Sequence, residues 1–189
     1  MPLAVRARNT IRKALQIDRV TFVASDPAQF DNEAFLADTS FVFDLIEGRG
    51  PLGGLHTALA YAQTPWIFML ACDYPFVSPD LIKLLATHVS DEFGAVAPEQ
   101  SDGRLQPLCS FYRTAAARPA VEEVINRPRV PPPLHETLTA LSPRIIKYEE
   151  YSHLAGADNL FINLNTIDDL KKVLQIDDAL LKTDASDIS

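Results

Sequence analysis

Trp66-Ile67-Phe68-Met69-Leu70-Ala71-Cys72 is the longest uninterrupted apolar run in the chain, and Asp73 follows it directly. Seven apolar residues are too few to cross a bilayer and suit a buried strand. Upstream, Leu55, Ala58, Leu59 and Ala62 recur at helical spacing, which predicts an amphipathic helix over Leu55–Ala62. Downstream, Ser78-Pro79-Asp80 is a helix start, with Ser as N-cap and Pro at the first helical position, and the helix runs to Thr87. Helix, buried strand and helix in succession are the unit of a sheet covered on both faces.

The same alternation continues outward. Arg19–Ser25 reads as a strand closed by Asp26-Pro27, and Thr39–Phe43 as a second strand that ends at Asp44. Leu45–Gly50 reads as a loop. Phe93–Ala97 and Leu108–Tyr112 are further strands around the turn Ser101-Asp102-Gly103, followed by a helix over Ala115–Ile125. Arg127–Pro133 holds four prolines and must be extended or irregular. A helix over Leu134–Leu141, strands at Arg144–Tyr148 and Leu160–Asn163, and a Thr166-capped helix to Gln175 complete the pattern. The chain reads as one α/β domain over 1–182 with a mostly parallel sheet and a frayed polar tail at 183–189. Up to Ile17 there are four basic residues, Arg6, Arg8, Arg12 and Lys13, and no acidic one. That composition is like a transit peptide, but Leu3, Ala7, Ile11 and Leu15 fall on one face, and a surface helix is the better reading.

With 47% hydrophobic and 22% charged residues, the 189-residue chain has the balance of a globular protein. A net charge of −8 argues against non-specific binding to nucleic acid, which requires a basic field. No segment predicts a membrane span. Cys72 and Cys109 form no CxxC pair and read as reduced, half-buried residues.

Ligands of open α/β sheets bind beyond the carboxyl ends of the strands. Asp44 and Asp73 stand at two such ends, and Gly50-Pro51-Leu52-Gly53-Gly54 lies between them at the opening of a helix. Glycines let backbone approach a ligand, and a helix N-terminus favours an anionic or polar group. A carboxylate at the mouth of an apolar strand needs a partner, and Mg²⁺, which takes one or two carboxylates plus phosphate oxygens, is a natural one. Taken singly, a strand-end Asp is often a cap and a GPLGG run a plain turn; the order and spacing of the three give the signal.

Asp44…GPLGGL, LACDYPF, DGRLQPL and FINLNTIDDL, in that order from Asp44 to Leu170, resemble the molybdenum cofactor guanylyltransferase family. The resemblance implies a three-layer, Rossmann-like nucleotidyltransferase fold and transfer of GMP from GTP to molybdopterin in the cytoplasm. Molybdoenzymes or their chaperones would be the downstream partners. It implies that Asp73 is the catalytic carboxylate and Mg²⁺ ligand. Asp44, Gly50, Pro51, Leu52 and Gly53 would hold the nucleotide with Asp73. Arg104, Gln106, Asn163 and Asn165 would face molybdopterin. The sister family that attaches CMP typically lacks the GPLGG loop, so Gly50–Gly54 favours guanine; a non-catalytic module of the same fold is the rival from another class. The family's opening strand and LAGG…RMG…DK-like triphosphate loop have no counterpart before Pro2-Leu3. The expectation is that residues 1–189 alone are inactive in transfer, bind GTP at least about a hundredfold more weakly, and carry open sheet edges.

Overall fold

A computed structural model describes residues 2–26, 40–126 and 134–163. The elements in chain order are α1 (Leu3–Leu15), β1 (Thr21–Ala24), β2 (Ser40–Phe43), α2 (Gly50–Tyr61), β3 (Trp66–Leu70), α3 (Pro79–Thr87), β4 (Ala95–Pro98), β5 (Cys109–Arg113), α4 (Thr114–Ile125), α5 (Leu134–Ala140), β6 (Arg144–Ile146) and α6 (Tyr148–Tyr151). β1 and β2 pair in parallel, and a four-stranded sheet runs in the order β3-β5-β4-β6. β5 is antiparallel to both of its neighbours and β4 is parallel to β6. β3, β4 and β6 therefore point one way and only β5 is reversed, so the sheet is mostly parallel by strand direction.

Alternation along the strands builds two cores. Trp66, Phe68, Leu70, Val96, Cys109 and Phe111 face a cluster with Ile11 of α1, Leu81, Ile82 and Leu85 of α3, and Tyr151 of α6. Ile67, Met69, Ala95, Ala97 and Tyr112 face the opposite cluster with Leu52, Leu55 and Leu59 of α2, Val121 and Ile125 of α4, and Leu138 of α5. Side chains of a strand point to opposite faces in turn, so a strand flanked by helices on both sides must be apolar throughout, and the result is three layers. α3 starts as its sequence predicts: Ser78 Oγ accepts from the Leu81 N–H at 3.2 Å.

Several expectations are corrected. β3 is not fully buried; each of its five residues is half-buried, because β3 is an edge of the four-stranded sheet among the described residues. β1–β2 forms no ladder with that sheet among the described residues. The helix expected from Leu55 begins at Gly50, and the GPLGG stretch is its first turns. A proline in the first turn loses no hydrogen bond, and Leu52, Leu55 and Leu59 together supply a buried stripe. The strand expected over Arg144–Tyr148 stops at Ile146, and Tyr148 opens α6. No strand forms at Leu160–Asn163: a 3₁₀ turn at Ala157–Asn159 precedes it, and the Leu160 and Ile162 N–H groups bond locally to the Ala157 and Asn159 carbonyls. α1 buries Val5, Ala7, Ile11 and Ala14, a face rotated from the expected one, where it packs on α3. Cys109 is fully buried, whereas Cys72 is half-buried; both are free thiols. The Arg127–Pro133 segment, Asn165, the Thr166 helix and the tail lie outside the described residues.

Candidate active site

β2 delivers Asp44 to the end of the β1–β2 pair, where its N–H bonds the Ala24 carbonyl at 3.0 Å. The chain then turns into α2, and Thr57 anchors the turn: its Oγ1 accepts from the Leu45 N–H at 3.0 Å. Thr57 is fully buried, a polar residue inside an apolar helix stripe. Partial burial raises the Asp44 carboxyl above its ordinary value near 3.8, and the Thr57 hydroxyl beside it draws it back. Gly53 lies under the same turn. A Cβ there would stand 3.1 Å from Arg49 Cβ, 3.3 Å from the Ile46 carbonyl and 3.8 Å from Asp44 Oδ2. Gly50 opens α2 with φ +52°, in the region that favours glycine, and a Cβ there would meet nothing within 4 Å.

Asp73 follows β3 in a turn, Ala71-Cys72-Asp73-Tyr74. A Cβ on Gly54 would meet Met69 Cε, near the end of β3, at 3.7 Å, so the start of α2 packs against the strand that Asp73 follows. Cys72 packs against the small cluster of Val5 in α1 and Phe22 in β1, which brings the chain after β3 towards α1 and the β1–β2 pair. Burial, then the negative charge of Asp73, pushes the Cys72 thiol up to about 11.

On the other side of Asp73, the antiparallel β3–β5 pairing sets Leu70 opposite Cys109, and the Ala71 N–H bonds the Leu108 carbonyl at 2.8 Å. The segment before β5 is thereby held beside Asp73. Gln106, 7% exposed, accepts a 3.0 Å hydrogen bond at Oε1 from the Tyr74 hydroxyl. Burial above all, with the Asp73 charge next, lifts the Tyr74 phenol to about 12. Phe161 stands edge-on to Tyr74, with ring centroids 5.9 Å apart.

Three of the sequence-predicted residues share one property. Asp44 Oδ1, Asp73 Oδ1 and Asn163 Oδ1 are sealed from solvent and have no hydrogen-bond partner among the described residues. A sealed acceptor without a donor costs about 1–3 kcal/mol, more for a charged group, so each of these oxygens would gain from a ligand or ion that supplied the contact. The Asp73 oxygen fits a hard divalent cation, which needs one or two carboxylates and completes its shell with phosphate oxygens. No cluster of three His, Cys, Asp or Glu occurs among the described residues, so a resident all-protein metal cage is not formed by them.

The other predicted residues fall out unequally. Pro51 and Leu52 are helical; Pro51 is exposed, whereas Leu52 is buried in the core, so only its backbone could reach a ligand. Arg104 is exposed and held by Asp102 at 2.7 Å, with a weaker bond to Gln100. Thr57, Tyr74 and Phe161 had no assigned part in the sequence reading. Thr57 carried a signal, as a polar residue four positions after Gly53 in an apolar stripe. A cleft lined by Thr64, Pro65, Thr114 and Arg118 lies at the start of β3, the end away from Asp73, where Arg118 bonds the Leu59 and Ala62 carbonyls at the end of α2. It serves the helix end, not the carboxylates.

A mostly parallel sheet between two helix layers defines an α/β protein of the Rossmann-like class. Residues 1–140 match the MobA-like NTP transferase domain, and the chain belongs to that family of enzymes. It is similar to a probable molybdenum cofactor guanylyltransferase of Clostridium perfringens, 26% identical over 170 residues, covering 87% of this chain and 80% of that protein. Against a probable molybdenum cofactor guanylyltransferase of Peptoclostridium acidaminophilum it is 28% identical over 140 residues, 70% of this chain and 61% of that protein. Among solved structures, molybdopterin-guanine dinucleotide biosynthesis protein A of Archaeoglobus fulgidus superposes with a TM-score of 0.74 at 24% identity, covering 94% of this chain and 86% of that one, which establishes the shared fold. No described helix is long and apolar enough to cross a membrane.

Proposed function

We propose that this chain is the guanylyltransferase of molybdenum cofactor synthesis, joining GMP from GTP to molybdopterin in the cytoplasm. The carrying observation is the set of sealed, unpartnered acceptors, Asp44 Oδ1, Asp73 Oδ1 and Asn163 Oδ1, on family-matched positions. Asp44 and the first turn of α2 bind guanine: a carboxylate accepts from N1–H and the 2-amino group together, a pair of donors that cytosine does not offer. Gly53 leaves room beside that carboxylate. Asp73 holds Mg²⁺, which when bound neutralises charge on the phosphates. Gln106, Asn163 and Asn165 take molybdopterin, whose phosphate oxygen displaces pyrophosphate at the α-phosphorus of GTP. Arg104 joins them by leaving Asp102, an exposed ion pair of small net worth. Orienting the two substrates in line is the protein's main contribution.

The test is competition between nucleotides. GTP and Mg²⁺ should convert molybdopterin to its guanine dinucleotide, and CTP should not compete. Equal use of CTP, or GTP binding with no transfer, refutes the reading. The second of these results would favour the non-catalytic module.

A further inference from the structure

Gln106 is fixed at every polar group but one. Its N–H bonds the Pro98 carbonyl at 3.0 Å, and its own carbonyl accepts from the Cys109 N–H at 3.0 Å and the Ser110 hydroxyl at 2.7 Å. Its Oε1 accepts from the Tyr74 hydroxyl at 3.0 Å. Its Nε2 makes no hydrogen bond among the described residues, and it is not sealed from solvent as the Asp73 and Asn163 oxygens are. A side chain 93% withdrawn from water thus presents a single open donor group beside Asp73, the complement of the 7% exposure of the residue.

Tyr74 is itself held. Its ring meets Phe161 at 80°, and Phe161 meets Tyr151 at 88° with centroids 6.4 Å apart. The Tyr151 hydroxyl bonds the Glu99 carbonyl at 2.8 Å, one residue beyond β4. The turn after β3, the segment before β5 and the chain before Asn163 are therefore tied together through one phenol. A primary amide has two orientations of nearly equal shape and opposite polarity. In the structure the phenol takes Oε1 and leaves Nε2 as the open group, and no other described residue bonds the end of this side chain.

We propose that Tyr74 is a positioning residue for the acceptor substrate: by donating to Gln106 Oε1 it holds the Gln106 amide with Nε2 directed at an acceptor oxygen of molybdopterin. The inference rests on the reading that Gln106 faces molybdopterin. Tyr74→Phe removes the hydroxyl and keeps the ring against Phe161, so the edge of the fold stays packed.

The experiment titrates molybdopterin and, separately, guanosine into residues 1–189, following pterin fluorescence and NMR shifts, for the parent, Tyr74→Phe, Gln106→Leu and the double variant. Tyr74→Phe should weaken molybdopterin about tenfold, the worth of one correctly aimed hydrogen bond, and leave guanosine within about twofold. Gln106→Leu should lose a similar factor, and adding Tyr74→Phe to it should cost nothing more, because the phenol acts through the amide. Three outcomes overturn the proposal: Tyr74→Phe binding molybdopterin as the parent does, equal loss for guanosine and molybdopterin, or additive losses in the double variant. A parent that binds guanosine and no molybdopterin overturns the acceptor reading itself, and this inference with it.

Discussion

Gly53→Ala separates a packing role from a binding role at one position. The added methyl enters 3.1 Å from Arg49 Cβ and 3.3 Å from the Ile46 carbonyl, a few tenths of an ångström inside ordinary contact at about 3.5–4.0 Å. Relieving that overlap costs about 1 kcal/mol. Alanine gains about 0.8–1.0 kcal/mol over glycine inside a helix. The two offset, so stability should change by less than about 1 kcal/mol and the melting temperature by less than about 2–4 °C. Binding has no such compensation. The Ile46 carbonyl must yield, it belongs to the turn that carries Asp44, and the methyl stands 3.8 Å from Asp44 Oδ2. Two hydrogen bonds from guanine to a carboxylate are worth about 1.5–3 kcal/mol each, and disturbing their alignment should raise the guanosine dissociation constant at least about tenfold. NMR titration of guanosine suits weak binding and reports on the site without a phosphate contribution. Unchanged guanosine affinity with the fold intact would show that the base does not sit against the Asp44–Gly53 turn.

Asp73→Ala should abolish divalent-cation-dependent transfer while leaving thermal stability unchanged or slightly higher, since a sealed carboxylate oxygen without a partner is removed; activity within about tenfold of the parent would refute the assignment. Acidification should weaken guanosine binding, because protonated Asp44 offers one acceptor fewer; with its carboxyl raised by burial, the midpoint should lie above 3.8. The same shift gives a stability sign: folded Asp44 takes a proton more readily than the unfolded chain, so its desolvation cost is full above the folded pKa and is relieved as pH falls through it. An NMR titration of the Asp44 carboxyl checks both. Gly94→Ala should destabilise by about 2–3 kcal/mol, lowering the melting temperature by about 4–12 °C: a Cβ there would lie 2.3 Å from the Leu141 carbonyl oxygen that the Gly94 N–H bonds at 3.1 Å, so the backbone cannot retreat without breaking that bond. A calorimetric scan of the variant settles it.

Local chemistry determined much of this protein in the sequence alone. Ser78-Pro79 wrote the start of α3 because the cap and the proline act within one turn, and the apolar Trp66–Leu70 run wrote a strand packed on both faces. Asp44, Asp73 and the GPLGG stretch could be nominated from sequence as a candidate site, because ligands of open α/β sheets bind beyond the strand ends. The reversed direction of β5 was not legible, since strand direction is set by pairing partners distant in sequence. Nor was the half-exposure of β3, which depends on which neighbour its edge meets, or the absence of a strand at Leu160–Asn163, where an apolar pattern had no partner to pair with and Leu160 buried itself through local turns. Only the tertiary structure could put Tyr74 on Gln106, 32 residues away, because the antiparallel β3–β5 register brings those two loops side by side.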